Sequence, residues 1–311
     1  MYFCRFKAKM GMTKFKAWIS AARLRTLPLS ISGIVTAGAA AKEAGIFSTP
    51  IFSLALATTL GLQILSNFAN DYGDGVKGTD NHERVGPMRA MQSGVLSAID
   101  LKRGIIITSI VTLAIACLLI YIAFENQNIF HSTIFFILGI AAIVAAITYT
   151  VGKSAYGYRA LGDVFVFLFF GLLGVLGGYF LFAKDLNGYI LLPAIVIGLL
   201  STAVLNLNNM RDRLADAKAN KITIAVLLGG SKVKIYHFTL IILAFIFSIS
   251  YFSLKGTTWA EFLPILAFIP LFVHLGKMNN NTSPPLLDPE LKKVALSTFL
   301  FSILFFVSAW F

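Results

Sequence analysis

Nine apolar stretches constrain the fold of this chain more than any other feature of its sequence. Each is about 17 to 25 residues long, the length that a helix needs to cross the hydrocarbon core of a bilayer. The chain is 57% hydrophobic and 13% charged, with a mean hydropathy of +0.80, which is far more apolar than a soluble core requires. The sequence therefore predicts an all-α, polytopic membrane protein with nine transmembrane helices. The stretches lie near 26–42, 50–70, 104–124, 129–150, 162–182, 189–209, 235–254, 258–276 and 294–311.

The first stretch follows a basic leader and ends in small residues, a combination that also occurs in cleaved signal peptides. The segment ARLRTLP leads directly into it, which favours an uncleaved first span. The connections between the stretches are short, so we expect one helical domain without a separate soluble part.

Basic residues are distributed unevenly between the two sides of such a bundle. If the N-terminus is cytoplasmic, 23 of the 26 Lys and Arg residues fall in cytoplasmic segments, and only Lys42, Lys184 and Lys255 lie outside. The positive-inside rule then predicts a cytoplasmic N-terminus and, after nine spans, a C-terminus outside. The net charge of +12 is thereby explained by membrane topology, and nucleic acid is not an expected partner.

Two clusters of Asn and Asp follow the second and sixth stretches, and both are predicted to emerge on the cytoplasmic face. At their spacing each cluster would line one face of a helix. Such residues often do no more than end a helix, and that interpretation suits any one of them taken alone. Two matched clusters favour a functional site. The clusters are Asn67, Asp71 and Asp74, and Asn208, Asp212 and Asp216.

Carboxylate and amide oxygens without a cysteine or histidine cluster are typical ligands of Mg²⁺, which completes its shell with phosphate oxygens and water. The four histidines fall in different segments, which argues against zinc. A phosphorylated substrate would also need cations, although basic residues on this face also contact lipid headgroups. Those near the clusters or in the loop after the fourth stretch are Arg84, Arg89, Lys153, Arg159, Arg211 and Lys221.

The surrounding spans are rich in Phe, Leu and Ile, which suits a long lipid tail with a charged head. Mg²⁺ with Arg and Lys would stabilise a leaving diphosphate. The ring faces of Tyr149 and Tyr156 would shield a carbocation, although each is also a natural interfacial anchor. The pattern predicts a polyprenyl diphosphate that ionises to an allylic cation.

Four segments resemble the UbiA superfamily of intramembrane aromatic prenyltransferases. They are LRTLPLS (24–30), LSNFANDYGDGVKGTDNHERVGPMRAMQSG (65–94), YTVGKSAYGYRALGDVFVFLFFG (149–171) and TAVLNLNNMRDRLADAKANKIT (202–223). The second and fourth, which hold the acidic clusters, are the specific ones. The resemblance implies a UbiA-type helical bundle that forms one domain over 1–311. The segment before Thr13 matches none of these motifs, and we expect a disordered tail over 1–12. The resemblance also implies a multi-pass protein of the bacterial inner membrane whose active site faces the cytoplasm.

The resemblance further implies which residues form the site. Mg²⁺ would be held by four aspartates, which with one lysine make up the catalytic residues: Asp71, Asp74, Asp212, Asp216 and Lys153. Asp80 also fits the first motif, without an assigned role. The substrate-binding residues would be Asn67, Asn70, Asn208, Arg89, Arg211, Lys221, Tyr149 and Arg159.

The expected acceptor is an aromatic acid that loses its carboxylate. Gly78 stands where relatives that use 4-hydroxybenzoate usually have an aspartate, and Asp80 follows two residues later. Together with RVGPMRAMQSG, this similarity favours 1,4-dihydroxy-2-naphthoate, with loss of CO₂ and diphosphate to give demethylmenaquinone. Another acceptor such as 4-hydroxybenzoate is the alternative.

Two other classes of membrane protein share parts of the pattern. CDP-alcohol phosphotransferases have an Asp-Gly pair like Asp74-Gly75, but Gly78-Thr79 stands where their signature requires Ala-Arg. Secondary transporters place carboxylates near the bilayer midplane, whereas the acidic residues here lie at or near the ends of the stretches.

Overall fold

The computed structural model describes residues 13–80, 84–125, 128–255, 258–280 and 283–311. Within these ranges nine helices are long and apolar enough to cross a membrane, which confirms the predicted all-α, nine-span fold. The only extended pairing in the same ranges is an isolated bridge between Arg159 and Ile222. The tail predicted over 1–12 lies outside the described residues.

The first of these spans, Lys14–Glu43, begins with a short helix, α1, which Arg23 ends in the left-handed conformation at φ 51°. Helix α6 is wound as a π-helix over Phe167–Gly177, and α9 begins as a 3₁₀-helix over Trp259–Ala267. Gly229, at φ 73°, kinks α8. The helices are α1 Lys14–Ala22, α2 Leu27–Glu43, α3 Thr49–Val76, α4 Ala98–Phe124, α5 Ile129–Thr148, α6 Gly162–Ala183, α7 Leu191–Lys218, α8 Ile224–Lys255, α9 Trp259–Asn280 and α10 Leu287–Ser308.

Helices α3 and α7 continue beyond the ends that hydropathy predicts. The predicted stretches end near 70 and 209, but α3 runs on to Val76 and α7 to Lys218. The predicted ends were too early because ion pairs and hydrogen bonds satisfy the carboxylates of the last turns, so the helices need not end where polar residues begin. Both acidic clusters therefore stand on regular helix.

Helix α7 lies in the middle of the bundle, and small residues let α6 and α2 approach their neighbours closely. A Cβ at Gly171 would lie 2.6 Å from the carbonyl oxygen of Ala194 on α7. A Cβ at Gly33 would lie 2.7 Å from the carbonyl oxygen of Phe170. Such close backbone contacts are typical of packed membrane helices. They fix the walls of the cavity described next.

Candidate active site

A cavity of about 710 Å³ extends from the last turns of α3 and α7 into the bundle. Its polar end is lined by Arg23, Asp71, Asp74, Arg84, Arg89 and Lys221. Its far end is lined by apolar side chains, among them Ile34, Leu119, Phe135, Leu173 and Leu181. The shape and polarity suit a ligand with an anionic head and a long apolar tail.

The two aspartates of α3 are buried and held by groups from distant parts of the chain. Asp71 is ion-paired with Arg23, and its carboxylate also accepts from Nη1 of Arg89 at 3.2 Å and from the backbone N–H of Ala90 at 3.3 Å. Asp74 accepts from the hydroxyl of Tyr158 at 2.8 Å. The cluster therefore joins α3 to the α1–α2 connection, to the loop after α3 and to the loop after α5.

The second cluster faces the same loop from α7. Asp212 accepts from Nη2 of Arg211 at 2.7 Å and from the backbone N–H of Gly86 at 3.0 Å, and Nη2 of Arg84 lies 3.5 Å away. Asp216 lies 3.7 Å from Nζ of Lys221. The predicted helical spacing thus brings both carboxylates of α7 to one side.

Lys221 links the two clusters. Its ammonium lies 3.7 Å from a carboxylate oxygen of Asp74 and 3.7 Å from one of Asp216. Burial alone would lower the pKa of Lys221, but the nearby carboxylates outweigh burial and raise the pKa above its usual value. Lys221 is therefore a permanently charged group between α3 and α7.

Asp80 adds a fifth carboxylate from the loop after α3. Its side chain is 1% exposed and lies 3.2 Å from Nε of Arg84 and 3.8 Å from Nε of Arg89. Neither carboxylate oxygen makes a hydrogen bond within the described chain. Burial raises the pKa of Asp80 to about 7, despite the neighbouring arginines. A buried carboxylate that lacks hydrogen bonds is suited to a cation that arrives with a ligand.

The residues of the polar end fit Mg²⁺ that binds together with substrate phosphates. In the described ranges, no three acidic, histidine or cysteine side chains converge into a preformed metal cage. Mg²⁺ commonly uses only one or two carboxylates and takes its other ligands from phosphates and water. The cluster contains five aspartates and five basic side chains, so its net charge is close to zero. A metal–diphosphate complex of small net charge could bind there without leaving a large excess of either sign. The groups are Asp71, Asp74, Asp80, Asp212 and Asp216, with Arg23, Arg84, Arg89, Arg211 and Lys221.

The three asparagines of the sequence prediction all line the cavity. The amide of Asn67 donates to the carbonyl oxygen of Ala22 at 2.9 Å, which ties α3 to α1. Asn70 accepts from the hydroxyl of Thr150 at 3.3 Å. Asn208 accepts from Nη2 of Arg211 at 2.7 Å. These contacts support the frame of the charged end.

Aromatic rings form one wall between the charged end and the apolar end. Tyr149 and Tyr156 both line the cavity, with ring centroids 5.2 Å apart, and Tyr156 stacks on Phe165 at 4.0 Å. Both tyrosines that the sequence analysis named thus line the cavity, and their role toward a carbocation stays a prediction. Tyr158, which the sequence pattern did not single out, instead reaches the charged cluster through Asp74.

Two predicted residues lie away from both the cavity and the charged cluster. Lys153 and Arg159 are exposed in the loop after α5, and the guanidinium of Arg159 donates to Ser154 at 3.3 Å. The loop has positive φ at Gly152, 92°, and at Ala160, 56°, and it brings Tyr158 rather than Lys153 or Arg159 to the cluster. Arg23 supplies the cation nearest Asp71 instead. The sequence signal that could have indicated Arg23 is its position in ARLRTLP, directly before the segment LRTLPLS that resembles the family.

Comparison with known proteins shows which family this chain is related to. The model of the UbiA prenyltransferase family matches residues 31–287. A 1,4-dihydroxy-2-naphthoate octaprenyltransferase from Haemophilus influenzae is 44% identical over 96% of this chain and 96% of that protein. The protein of the same name from Escherichia coli is 40% identical over 96% of this chain and 98% of that protein.

A solved structure shares the fold. The UbiA homolog from Archaeoglobus fulgidus bound to DMAPP and Mg²⁺ has a TM-score of 0.60 at 18% identity, over 92% of this chain and 98% of that one. The family model, the relatives matched over almost their whole length and this shared helical bundle lead to one conclusion: the chain belongs to the UbiA prenyltransferase family.

Proposed function

We propose that this protein transfers a polyprenyl group from polyprenyl diphosphate to 1,4-dihydroxy-2-naphthoate in a Mg²⁺-dependent reaction. The carbon–oxygen bond of the diphosphate ester breaks, and its electron pair leaves with diphosphate. The ring carbon that bears the carboxylate bonds to the prenyl carbon and then releases CO₂. The product is demethylmenaquinone in its reduced form.

The observation that carries the proposal is the polarity of the cavity. Carboxylates of α3, arginines from the α1–α2 connection and from the loop between α3 and α4, and Lys221 surround one end, and apolar side chains line the rest. An isoprenoid diphosphate has the same division into a charged head and an apolar tail. The names of the Haemophilus influenzae and Escherichia coli relatives support the naphthoate acceptor.

We assign the charged residues as follows. Asp71, Asp74, Asp212 and Asp216 would hold Mg²⁺, which when bound neutralises charge that develops on the diphosphate. Lys221 would bind the same phosphates as a fixed positive charge. Further cations of this end are Arg23, Arg84, Arg89 and Arg211, and each already contacts a carboxylate that the ligand would share.

The acceptor needs a different surface, because its ring must reach the prenyl carbon with the carboxylate oriented. The wall of Tyr149 and Tyr156 offers ring faces beside the charged end. Lys153 and Arg159 are exposed outside the cavity, so we propose that a cavity-lining arginine orients the acceptor carboxylate in their place.

A test of the function must also separate it from the other classes of membrane protein. Detergent-purified protein with Mg²⁺, a labelled polyprenyl diphosphate and 1,4-dihydroxy-2-naphthoate should release one diphosphate per turnover. Omission of either the metal or the acceptor should stop the release. A CDP-alcohol phosphotransferase would instead release CMP from a CDP-alcohol, and a transporter would release neither.

The proposed location is the bacterial inner membrane, with one domain over 1–311 and the active site at the cytoplasmic surface. The charge distribution supports a cytoplasmic N-terminus and a C-terminus outside. A periplasmic reporter such as alkaline phosphatase, fused after Phe311 or inserted at Asp185, should therefore be active, whereas an insertion at Lys153 should be inactive. The opposite pattern would overturn the orientation.

A further inference from the structure

The segment SPPLLDPE, which leads into α10, places two acidic residues in one turn with different partners. Asp288 accepts from Nη1 of Arg211 at 2.6 Å, and Nη1 of Arg25 lies 3.4 Å from its other oxygen. Glu290 points to a buried pair of histidines instead. Neither residue lines the cavity. Asp288 nevertheless pairs with the same guanidinium as Asp212, that of Arg211.

Arg211 is shared between two carboxylates. Its guanidinium donates from Nε and Nη2 to Asp212, at 3.3 and 2.7 Å, and from Nη1 to Asp288. The Arg211 side chain is 1% exposed, whereas that of Asp288 is 36% exposed. If Asp212 binds a metal ion instead of Arg211, Asp288 therefore remains as the carboxylate partner of Arg211.

The turn that carries Asp288 is firmly held. Glu290 accepts from Nζ of Lys293 at 2.8 Å and lies 2.7 Å from Nδ1 of His274. Nε2 of His274 lies 2.8 Å from Nε2 of His237 on α8, and both histidine rings are fully buried. This chain of contacts fixes the start of α10 against α8 and α9, and so fixes the position of Asp288.

We propose that Asp288 is a positioning residue that keeps the buried Arg211 guanidinium paired, so that Asp212 is free to bind Mg²⁺ with the diphosphate. The inference rests on the proposed function. Without the charge of Asp288, Arg211 would depend on Asp212 alone, and Mg²⁺ would have to displace a buried arginine that has no other carboxylate.

The test is the Mg²⁺ dependence of ligand binding, without turnover. Purified protein is titrated with Mg²⁺ in the presence of radiolabelled farnesyl thiolodiphosphate, an analogue that ionises very slowly. Asp288→Asn keeps the shape and the hydrogen-bond acceptor but removes the charge. We expect it to raise the half-saturating Mg²⁺ concentration about tenfold, which corresponds to ~1.4 kcal/mol. Asp288→Glu keeps the charge and should therefore retain most of the wild-type affinity for Mg²⁺.

Two controls separate positioning from a general loss of structure. Asp185→Asn, the same change at an exposed aspartate between α6 and α7, should leave the Mg²⁺ dependence unchanged. In an Asp212→Asn background, Asp288→Asn should have no further effect, because the carboxylate that Asp288 leaves free for Mg²⁺ is already replaced by a neutral amide.

An unchanged Mg²⁺ dependence in Asp288→Asn, or an equal shift in the Asp212→Asn background, would overturn the inference. If Asp288→Asn does not fold, Asp288→Glu is compared with Asp185→Asn. Equal half-saturating Mg²⁺ concentrations in these two variants support the role of the Asp288 charge, and a tenfold higher concentration in Asp288→Glu contradicts it. Because no acceptor is present, a wrong naphthoate assignment leaves this test intact. Wild-type protein that binds no analogue at any Mg²⁺ concentration would refute the prenyltransferase function itself.

Discussion

Asp212→Asn is expected to lower kcat by a factor of about 10² or more, the loss typical for removal of one group that stabilises charge in a transition state. The change keeps the shape of the side chain, and Arg211 retains Asp288 as a partner. The protein should therefore still fold, with a melting temperature close to that of the wild type. Steady-state turnover at saturating Mg²⁺, measured together with thermal unfolding, checks both parts.

The matched control for this prediction is Asp163→Asn. Asp163 is also a buried aspartate, but it accepts from the hydroxyl of Tyr236 at 3.0 Å, whereas Asp212 pairs with Arg84 and Arg211 of the charged cluster. We expect its replacement to lower kcat much less than Asp212→Asn. Equal losses of kcat at the two positions would show that replacing any buried aspartate lowers turnover to this extent. The assignment of Asp212 to the metal would then lose its support.

Lys221→Met is expected to lower kcat/KM for the polyprenyl diphosphate by about 10² or more. The ammonium lies between Asp74 and Asp216, so its removal leaves two buried carboxylates facing each other and takes a fixed positive charge from the phosphates. Loss of one partner of a buried ion pair typically costs about 3 to 5 kcal/mol of stability. The unfolding midpoint and kcat/KM should therefore both decrease in Lys221→Met. Lys221→Arg should recover part of the stability and part of kcat/KM.

Lys153→Met is the comparison that distinguishes the structure from the sequence pattern. The resemblance assigns Lys153 to the phosphates, whereas the side chain is exposed in the loop after α5. Because that side chain lies outside the cavity, we expect a much smaller loss of kcat/KM at Lys153 than at Lys221. A larger loss at Lys153 would show that the loop closes over the substrate and would restore the assignment that the sequence favours.

The number of spans and the two acidic helices were predictable because both signals are local. An apolar stretch of sufficient length identifies a membrane helix, and the spacing of Asp212 and Asp216 is enough to put them on one face. That spacing matters only if the helices continue past the apolar residues. Their stability there depends on partners such as Arg23 and Tyr158, which are distant in sequence.

Contacts between distant segments explain most of what the sequence did not predict. Asp288 lies in a segment that reads as a proline-rich connection, yet its carboxylate reaches Arg211, 77 residues earlier in the chain. The π-helical turns of α6 are equally hidden, because their apolar residues suit an α-helix as well. Single-residue patterns indicate chemistry, whereas the arrangement of the charged cluster depends on how the whole bundle packs.

The acceptor is supported most by the relatives and least by the geometry, so a competition between acceptors tests the proposed reaction most directly. Purified protein with Mg²⁺ and a polyprenyl diphosphate should prenylate 1,4-dihydroxy-2-naphthoate about 10² times faster than 4-hydroxybenzoate, because a smaller ring would be poorly positioned at the reacting carbon. One CO₂ should be released for each prenylated product. Faster prenylation of 4-hydroxybenzoate, or a naphthoate product that keeps its carboxylate, would contradict the proposed reaction.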